Sequence, residues 1–277
     1  MFEVLEYQFF QSALIIAVLA SVAAGVIGTF IVVKRMSLIS GSIAHAAFGG
    51  LGLSYFFNVN PLLGGIVFSL LSAFSIAVFR KSAENRLDSL LSFLWATGMA
   101  IGLVFIFLSP GYATDLFTYL FGNILLVSET DLFMILVLDI AIIATVFLMF
   151  NSFLSVAFDE EYSETRNMRV TLINMVLFGL IALTVIAVIR VVGIVLMIAI
   201  LAIPAASAQL FHKTVKKIMV TSAAITLFAT VTGLFISYYF DFSTGPIIVL
   251  IISFIYIISV LLSKYNVFSF LYRLINV

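Results

Sequence analysis

Residues 8–33 of the chain read QFFQSALIIAVLASVAAGVIGTFIVV, a run that contains no Asp, Glu, Lys or Arg. A helix needs about 20 apolar residues to cross a bilayer, so this run is long enough for one crossing. The basic pair Lys34 and Arg35 follows directly, as expected where a helix leaves the membrane. Similar runs recur along the chain, and this repetition predicts an all-α, polytopic helical membrane protein.

The composition of the whole chain predicts the same fold class. Of its 277 residues, 64% are hydrophobic and 9% are charged, whereas about 25% of the residues in a soluble domain are charged. A soluble protein would lack the charged exterior that water requires, but a helical bundle in lipid can be apolar both outside and inside. The formal net charge is zero and cysteine is absent, so nothing indicates nucleic-acid binding, disulfides or thiolate metal sites.

The recurring runs predict about nine transmembrane helices, within a range of roughly eight to ten, in one domain that covers residues 1–277. A shorter apolar segment at 116–128 is interrupted by Gly122 and Asn123. Because this segment is too short to cross, we predict that it is re-entrant or interfacial. The predicted spans are 8–33, 38–56, 62–79, 89–108, 132–157, 170–189, 191–211, 218–239 and 246–262, of which the second is the least hydrophobic.

The distribution of basic residues predicts the orientation of the chain. If the loop that contains Lys34 and Arg35 is cytoplasmic, nine crossings bring every Lys and Arg except Arg190 to the cytoplasmic side, in agreement with the positive-inside rule. This agreement requires that the segment 116–128 does not cross, and it places the N-terminus outside.

Two titratable residues, His45 and Asp139, lie inside predicted spans, where an ionisable group is costly and therefore suggests a function. His45 is part of ISGSIAHAAFGG (39–50), whose glycines leave the imidazole little covered. Because neutral imidazole binds zinc, manganese and iron, His45 either belongs to a metal pathway or hydrogen-bonds a helix that packs on the small residues. Asp139 lies about 10 Å from the outer surface, and it either belongs to the same pathway or reaches a polar group on a neighbouring helix.

Two further features are candidates for function. Pro204, within AILAIPAASAQ (199–209), removes a backbone hydrogen bond, and it either breaks a helix that lines the pathway or makes a simple kink. Residues 158–169 read FDEEYSETRNMR and place acids before bases, the order that stabilises a short helix. This segment is either a docking surface for a soluble ATPase or a solvated loop, and its candidate contact residues are Asp159, Glu160, Glu161, Glu164 and Arg166.

The chain contains no nucleotide-binding G-x-x-x-x-G-K-[ST] motif and none of the common hydrolase motifs. It is therefore predicted to be no enzyme, and any ATP hydrolysis would take place on a separate subunit. A secondary cation transporter or channel without an ATPase is an alternative, although it would place more carboxylates in the membrane. An intramembrane enzyme would need a convergent catalytic pair, whereas the sequence offers scattered single residues.

Five segments, in order, resemble the permease subunits of ABC uptake transporters for zinc, manganese and iron. The most informative is GTFIVVKRMSLISGSIAHAAFGGLGL (28–53), which is similar to that family's first span, basic pair and histidine-containing helix. The others are YLFGNILLVSETDL (119–132), AFDEEYSETRN (157–167), VIRVVGIVLMIAILAIPAASAQL (188–210) and FDFSTGPIIVLI (240–251).

The resemblance implies a homodimer of permeases in a prokaryotic cytoplasmic (inner) membrane, with two copies of a cytoplasmic ATP-binding subunit and an extracytoplasmic metal-binding protein. It implies that residues 158–168 contact the ATPase and that the helix of His45 lines the ion path. The transported ion would be divalent zinc or manganese, ranked ahead of iron, and no cofactor would be bound permanently. The family commonly has an acid four residues before the histidine, where this chain has Gly41, so the expected second ligand is missing.

Overall fold

The computed structural model describes residues 3–80, 86–109 and 119–264, and within these ranges the chain is helical and contains no strand. Short 3-10 turns occupy Glu3–Glu6 and Ile124–Leu126. The α-helices of the described ranges are α1 (Gln8–Val33), α2 (Ser37–Phe56), α3 (Pro61–Phe79), α4 (Leu87–Leu108), α5 (Glu129–Phe158), α6 (Glu160–Thr165), α7 (Val170–Val192), α8 (Met197–Gln209), α9 (Val215–Phe240) and α10 (Thr244–Lys264).

The helices confirm the all-α membrane fold, but they do not confirm the predicted number of about nine spans. By length and composition, 7 helices of the described ranges can cross a membrane, namely α1, α3, α4, α5, α7, α9 and α10. Helix α2 has 20 residues but is rich in glycine and serine, which lowers its hydropathy. Helix α8 has 13 residues, which cover about 20 Å at 1.5 Å per residue and fall short of a hydrocarbon core of about 30 Å.

The predicted span 191–211 was wrong at its start for a local reason. Helix α7 continues to Val192 and ends at Gly193, whose φ of 75° and ψ of 171° are not helical. A turn follows before α8 begins at Met197. Hydropathy placed the break at Arg190, three residues early, because it registers the charge and not the backbone conformation of the apolar residues that follow.

Helices α2 and α7 form the centre of the bundle. Helix α2 packs against α3, α4, α7 and α8, and 15 of its 20 residues are buried. Helices α7 and α8 contact both this group and a second group, in which α1 packs against α5 and α9. A hydrogen bond of 3.1 Å between the hydroxyls of Ser21 and Thr230 joins α1 to α9 inside the second group.

At the end of α7 that lies away from α6, two glycines bring together residues 119–122 and residues 192–195. The backbone N–H of Ile194 donates to the carbonyl of Tyr119 over 2.9 Å, and that of Val195 donates to the carbonyl of Leu120 over 3.2 Å. Gly122 and Gly193 have φ values of 74° and 75° and lie against each other's backbone. We call this contact the Gly122–Gly193 junction.

The segment predicted to be re-entrant or interfacial takes part in this junction. Residues 116–118 lie outside the described residues, and the remainder forms a helical end at 119–121 and the 3-10 turn Ile124–Leu126. The N–H of Ile124 donates to Thr244 Oγ1 at the start of α10 over 3.3 Å. The described part of the segment is therefore held against α7 and α10 and has no continuous helix of crossing length.

Candidate functional site

His45 lies in the middle of α2, covered by α4. Its exposed fraction is 7%, and its imidazole stacks on the indole of Trp95 with 4.0 Å between ring centroids and 16° between planes. Within the described ranges, His45 Nδ1 has no hydrogen-bond partner. A buried ring nitrogen without a protein partner retains its capacity to bind a metal ion or a water molecule.

The small residues around His45 are used for close helix packing. A Cβ added to Gly98 of α4 would lie within 3.0 Å of Ala46 and His45 backbone atoms, and one added to Gly49 would lie 2.9 Å from the Gly98 carbonyl. Gly50 of α2 and Gly64 of α3 face each other in the same manner. Small residues at membrane-helix interfaces permit this backbone approach. The sequence predicted that the glycines leave the imidazole little covered, but α3 and α4 pack on this small-residue face and cover it.

The packing around Gly41 shows why an acid is absent from that position. A Cβ at Gly41 would lie 2.5 Å from Ile198 Cδ1 and 2.9 Å from Trp95 Cζ3. The indole that covers His45 and a side chain of α8 thus occupy the volume that a carboxylate would need. No second metal ligand can come from this position without movement of both neighbours.

We expect Gly41→Asp to destabilise the protein, and we expect Ile198→Ala to restore much of the loss. Overpacking of a filled site costs about 1–3 kcal/mol, and Ile198→Ala removes two of the three atoms closest to the added Cβ, among them the nearest. The measurement is the melting temperature in detergent of both single variants and of the double variant. Equal melting temperatures for Gly41→Asp and the wild type would contradict this account of the position.

A cavity of about 300 Å³ lies beside Trp95, the residue that stacks on His45. Its α4 wall comprises Asp88, Leu91, Ser92 and Trp95, which share one helix face because they are three or four residues apart. Ser42 and Leu38 of α2 form the opposite wall. Trp95 was not predicted as a partner of His45. The spacing of the polar residues Asp88 and Ser92 was nevertheless a signal for this face of α4.

Asp139 lies in a different part of the bundle from His45. Its exposed fraction is 1%, and neither carboxyl oxygen has a hydrogen-bond partner among the described residues. It belongs to α5, which packs against α1 and α7, whereas His45 belongs to α2. In the described parts of the chain, no group of three or more His, Cys, Asp or Glu side chains could hold a metal.

Pro204 is buried in the interior of α8. Helix α8 packs closely on α1. A Cβ added to Gly28 of α1 would clash with the carbonyl of Leu201, which lies one turn before the proline. Ile203 and Ala206, on either side of Pro204, line a cavity of about 480 Å³ together with Arg35 and Tyr256. The proline thus lies next to a cavity that opens near the basic end of α1.

The acidic segment after α5 forms the short helix α6, as its charge order predicts. Asp159 caps this helix, with its Oδ1 accepting a hydrogen bond from the N–H of Tyr162 over 2.8 Å. Glu161, Glu164 and Arg166 are exposed, and the Arg166 guanidinium lies 5.6 Å from the centroid of the Tyr162 ring. These side chains form an outward face of α6 that a soluble partner can reach.

Glu160, by contrast, points towards the bundle. Its Oε1 accepts hydrogen bonds from Lys34 Nζ at the end of α1 over 2.9 Å and from Arg80 after α3 over 2.8 Å. Lys34 also donates to the Val156 carbonyl over 3.1 Å and to Asn174 Oδ1 over 3.0 Å. The sequence placed Glu160 among the candidate contacts of an ATPase but did not indicate these partners, because they are distant along the chain.

The environment of this cluster shifts the pKa values of its charged groups. Burial acts to raise the pKa of Glu160, but the hydrogen bonds and charges of Lys34 and Arg80 outweigh it and hold the pKa below the ordinary 4.5. Burial is also the largest influence on Lys34 and lowers the pKa of its ammonium group, against the opposing effect of Glu160.

We expect the stability contributed by Glu160 to be lost in acid. A carboxyl group whose pKa is lowered by folding stabilises the protein above its ordinary pKa, here 4.5, and loses this effect as the pH falls through the folded value. The measurement is the melting temperature between neutral and acid pH, with about 2–4 °C lost for each kcal/mol. Glu160→Gln should show a smaller acid-dependent loss than the wild type.

Comparisons with known proteins agree with this architecture. A manganese import system permease protein, ScaB of Streptococcus gordonii, is 32% identical over 92% of this chain and 91% of its own length. An uncharacterized membrane protein of Synechocystis sp. is 42% identical over 94% of this chain and 92% of its own. The solved structure of PsaBC from Streptococcus pneumoniae in complex with a Fab superposes with a TM-score of 0.83, at 32% identity over 92% of this chain and 91% of that chain.

The match to a family model covers nearly all of the described bundle. Residues 6–263 match the model described as the ABC 3 transport family, so the match begins before α1 and ends within α10. The segments that carried the resemblance in the sequence all lie inside this range. The chain is therefore a multi-pass helical membrane protein that belongs to the ABC 3 transport family.

Proposed function

We propose that this chain is the permease subunit of an ABC importer and that it forms the membrane pathway for a divalent transition-metal ion. The observation that carries the proposal is the family match over residues 6–263. Manganese now ranks ahead of zinc and iron, because the relatives whose names specify a metal include manganese import permeases.

We propose that the ion passes along α2 and contacts His45. Support comes from the buried, unpartnered Nδ1 and from the cavity next to the Trp95 ring. With Gly41 unable to supply a carboxylate, the path offers few protein ligands, which suits an ion that must be released as readily as it binds. Asp139 and Pro204 are assigned to the same pathway as secondary candidates, and Asp139 would act from the α5 side of the bundle.

We further propose that α2 and α8 also lie within the membrane, which gives nine crossings, and that 116–128 does not cross. Support comes from the Lys34–Glu160 and Arg80–Glu160 ion pairs, which bring the basic ends of α1 and α3 to the same side as α6. Nine crossings place all three of these ends in the cytoplasm, as the positive-inside rule requires.

The proposed partners follow from this orientation. Two copies of a cytoplasmic ATPase would bind the outward face of α6, formed by Glu161, Tyr162, Glu164 and Arg166, in an assembly with a second copy of the permease. An extracytoplasmic metal-binding protein would deliver the ion at the opposite surface. ATP hydrolysis would belong to the ATPase, because the sequence of this chain has no nucleotide-binding motif.

The test is purification of the tagged permease together with its ATPase and delivery protein, followed by reconstitution into liposomes. We expect a co-purifying ATPase whose activity is stimulated by one of manganese, zinc or ferrous iron. Tyr162→Ala combined with Arg166→Ala should weaken ATPase association and leave membrane insertion unchanged. Metal uptake without any associated ATPase would contradict the proposal and support a secondary transporter or channel.

A further inference from the structure

We propose that Glu160 is the positioning residue through which movement of the ATPase-binding helix α6 reaches the transmembrane helices. This inference rests on the proposed function, since it assumes that an ATPase binds the outward face of α6. It assigns Glu160 a role distinct from that of its neighbours. Glu161 and Arg166 face the partner, whereas Glu160 joins the partner's docking helix to the bundle.

The geometry of the cluster supports this separation. A single oxygen, Glu160 Oε1, lies 2.9 Å from Lys34 Nζ and 2.8 Å from Arg80 NH1. Lys34 follows the last residue of α1, and Arg80 follows the last residue of α3. Because α3 belongs to the first helix group and α1 to the second, one carboxylate oxygen joins both groups to α6.

Lys34 extends the connection to two more helices. Its Nζ donates to the carbonyl of Val156 in α5 and to Oδ1 of Asn174 in α7, and only 3% of its side chain is exposed. A buried ammonium group with three acceptors has a fixed position, because each lost bond would leave a desolvated charge unsatisfied. Displacement of α6 therefore acts on the ends of α1, α3, α5 and α7 together.

The cluster that would transmit the movement of α6 also lies apart from the residue that we propose binds the ion. Glu160 lies in the first turn of α6, at the cytoplasmic ends of the helices, whereas His45 lies in the middle of α2. Helix α3, which ends at Arg80, packs against α2 and α7. A displacement of Arg80 is thus transmitted through the packing of α3 on α2, the helix that contains His45.

The experiment compares Glu160→Ala with Glu160→Ala combined with Asn174→Asp. The single variant removes the connection and leaves Lys34 buried without its counter-charge. In the double variant, Asn174→Asp provides a carboxylate of the same shape at the Oδ1 position 3.0 Å from Lys34 Nζ. In the double variant, a carboxylate on α7 therefore neutralises Lys34, but the connection between Lys34 and α6 is not restored. Glu129→Ala, at the opposite end of α5, is the matched control.

The readouts are ATPase association, ATP hydrolysis and metal uptake in liposomes. We expect both Glu160 variants to retain the ATPase and its hydrolysis but to move about tenfold less metal per ATP hydrolysed, within the range of typical coupling energies. The double variant should regain the wild-type melting temperature, and Glu129→Ala should match the wild type in all readouts.

Two results would overturn the inference. One is recovery of wild-type metal uptake per ATP in the double variant, since it would show that Glu160 only neutralises Lys34. The other is a proportional fall of hydrolysis and uptake, with an unchanged ratio between them. A wild-type complex that binds no ATPase, or whose ATPase no metal stimulates, would overturn the proposed function and not the role of Glu160 specifically.

Discussion

Gly193→Ala is expected to prevent the protein from accumulating in a folded, detergent-stable form. Gly193 combines a φ of 75° with a ψ of 171°, a backbone conformation that is almost confined to glycine and costs a side-chain-bearing residue about 1–3 kcal/mol. The added Cβ would also collide with the Leu120 carbonyl and the Gly122 nitrogen, both of which belong to the backbone. Neither atom can move without breaking the Gly122–Gly193 junction.

The matched control is Gly179→Ala in the same helix. Gly179 lies within α7, and a Cβ there would meet the Phe74 ring at 3.6 Å, an ordinary van der Waals distance. Alanine is also favoured over glycine in a helix by about 1 kcal/mol. The measurement is the monodisperse fraction in size-exclusion chromatography after heating. A Gly193→Ala variant as stable as Gly179→Ala would show that the backbone at residue 193 tolerates a side chain.

His45→Ala is expected to reduce metal uptake by roughly one to two orders of magnitude, the effect typical of the loss of a metal-site interaction. The imidazole has a buried nitrogen without a protein partner in the described structure, and it is the histidine of α2. The measurement is initial uptake of manganese into liposomes that contain the complex. The metal concentration is varied in order to separate an altered half-saturation from an altered maximal rate.

Two controls separate metal binding from packing. Trp95→Phe retains an aromatic ring against the imidazole and should leave uptake close to that of the wild type. His212→Ala changes a histidine just before α9, whose Nε2 is hydrogen-bonded to Thr221 Oγ1 over 2.9 Å. This variant should have no effect on uptake. If His45→Ala takes up metal normally while its melting temperature falls, His45 serves packing alone.

Much of the fold could be predicted from the sequence, because long charge-free runs allow few structures in a bilayer. The start of α1 at Gln8 and the ends of α2 at Phe56, α3 at Phe79 and α4 at Leu108 agree with the predicted boundaries within a few residues. The break between the predicted spans 170–189 and 191–211 was placed at Arg190, whereas the helix ends at Gly193, because hydropathy registers a charge and not a backbone conformation. The backbone contacts that require glycine there involve residues about 70 positions earlier in the chain.

The candidate site was predictable only in part, for a similar reason. The residue types identified His45 and the acidic helix α6, since imidazole and clustered charge are rare in such a chain. Their surroundings depend on tertiary contacts: Trp95 covers His45, and Lys34 binds Glu160 across 126 positions of the sequence. The inward direction of Glu160 and the outward direction of Glu161 could not be distinguished by composition, because both are glutamates in one short acidic run.

The glycine contacts between α2 and α4 determine how closely the backbones of the two helices approach. With a Cβ at Gly52 or Gly98 excluded by the facing backbone, the two helices touch along their main chains, and the cavity of about 300 Å³ next to Trp95 lies between side chains of the same two helices. On the proposed ion path along α2, a wider opening would require α2 and α4 to separate at these backbone contacts.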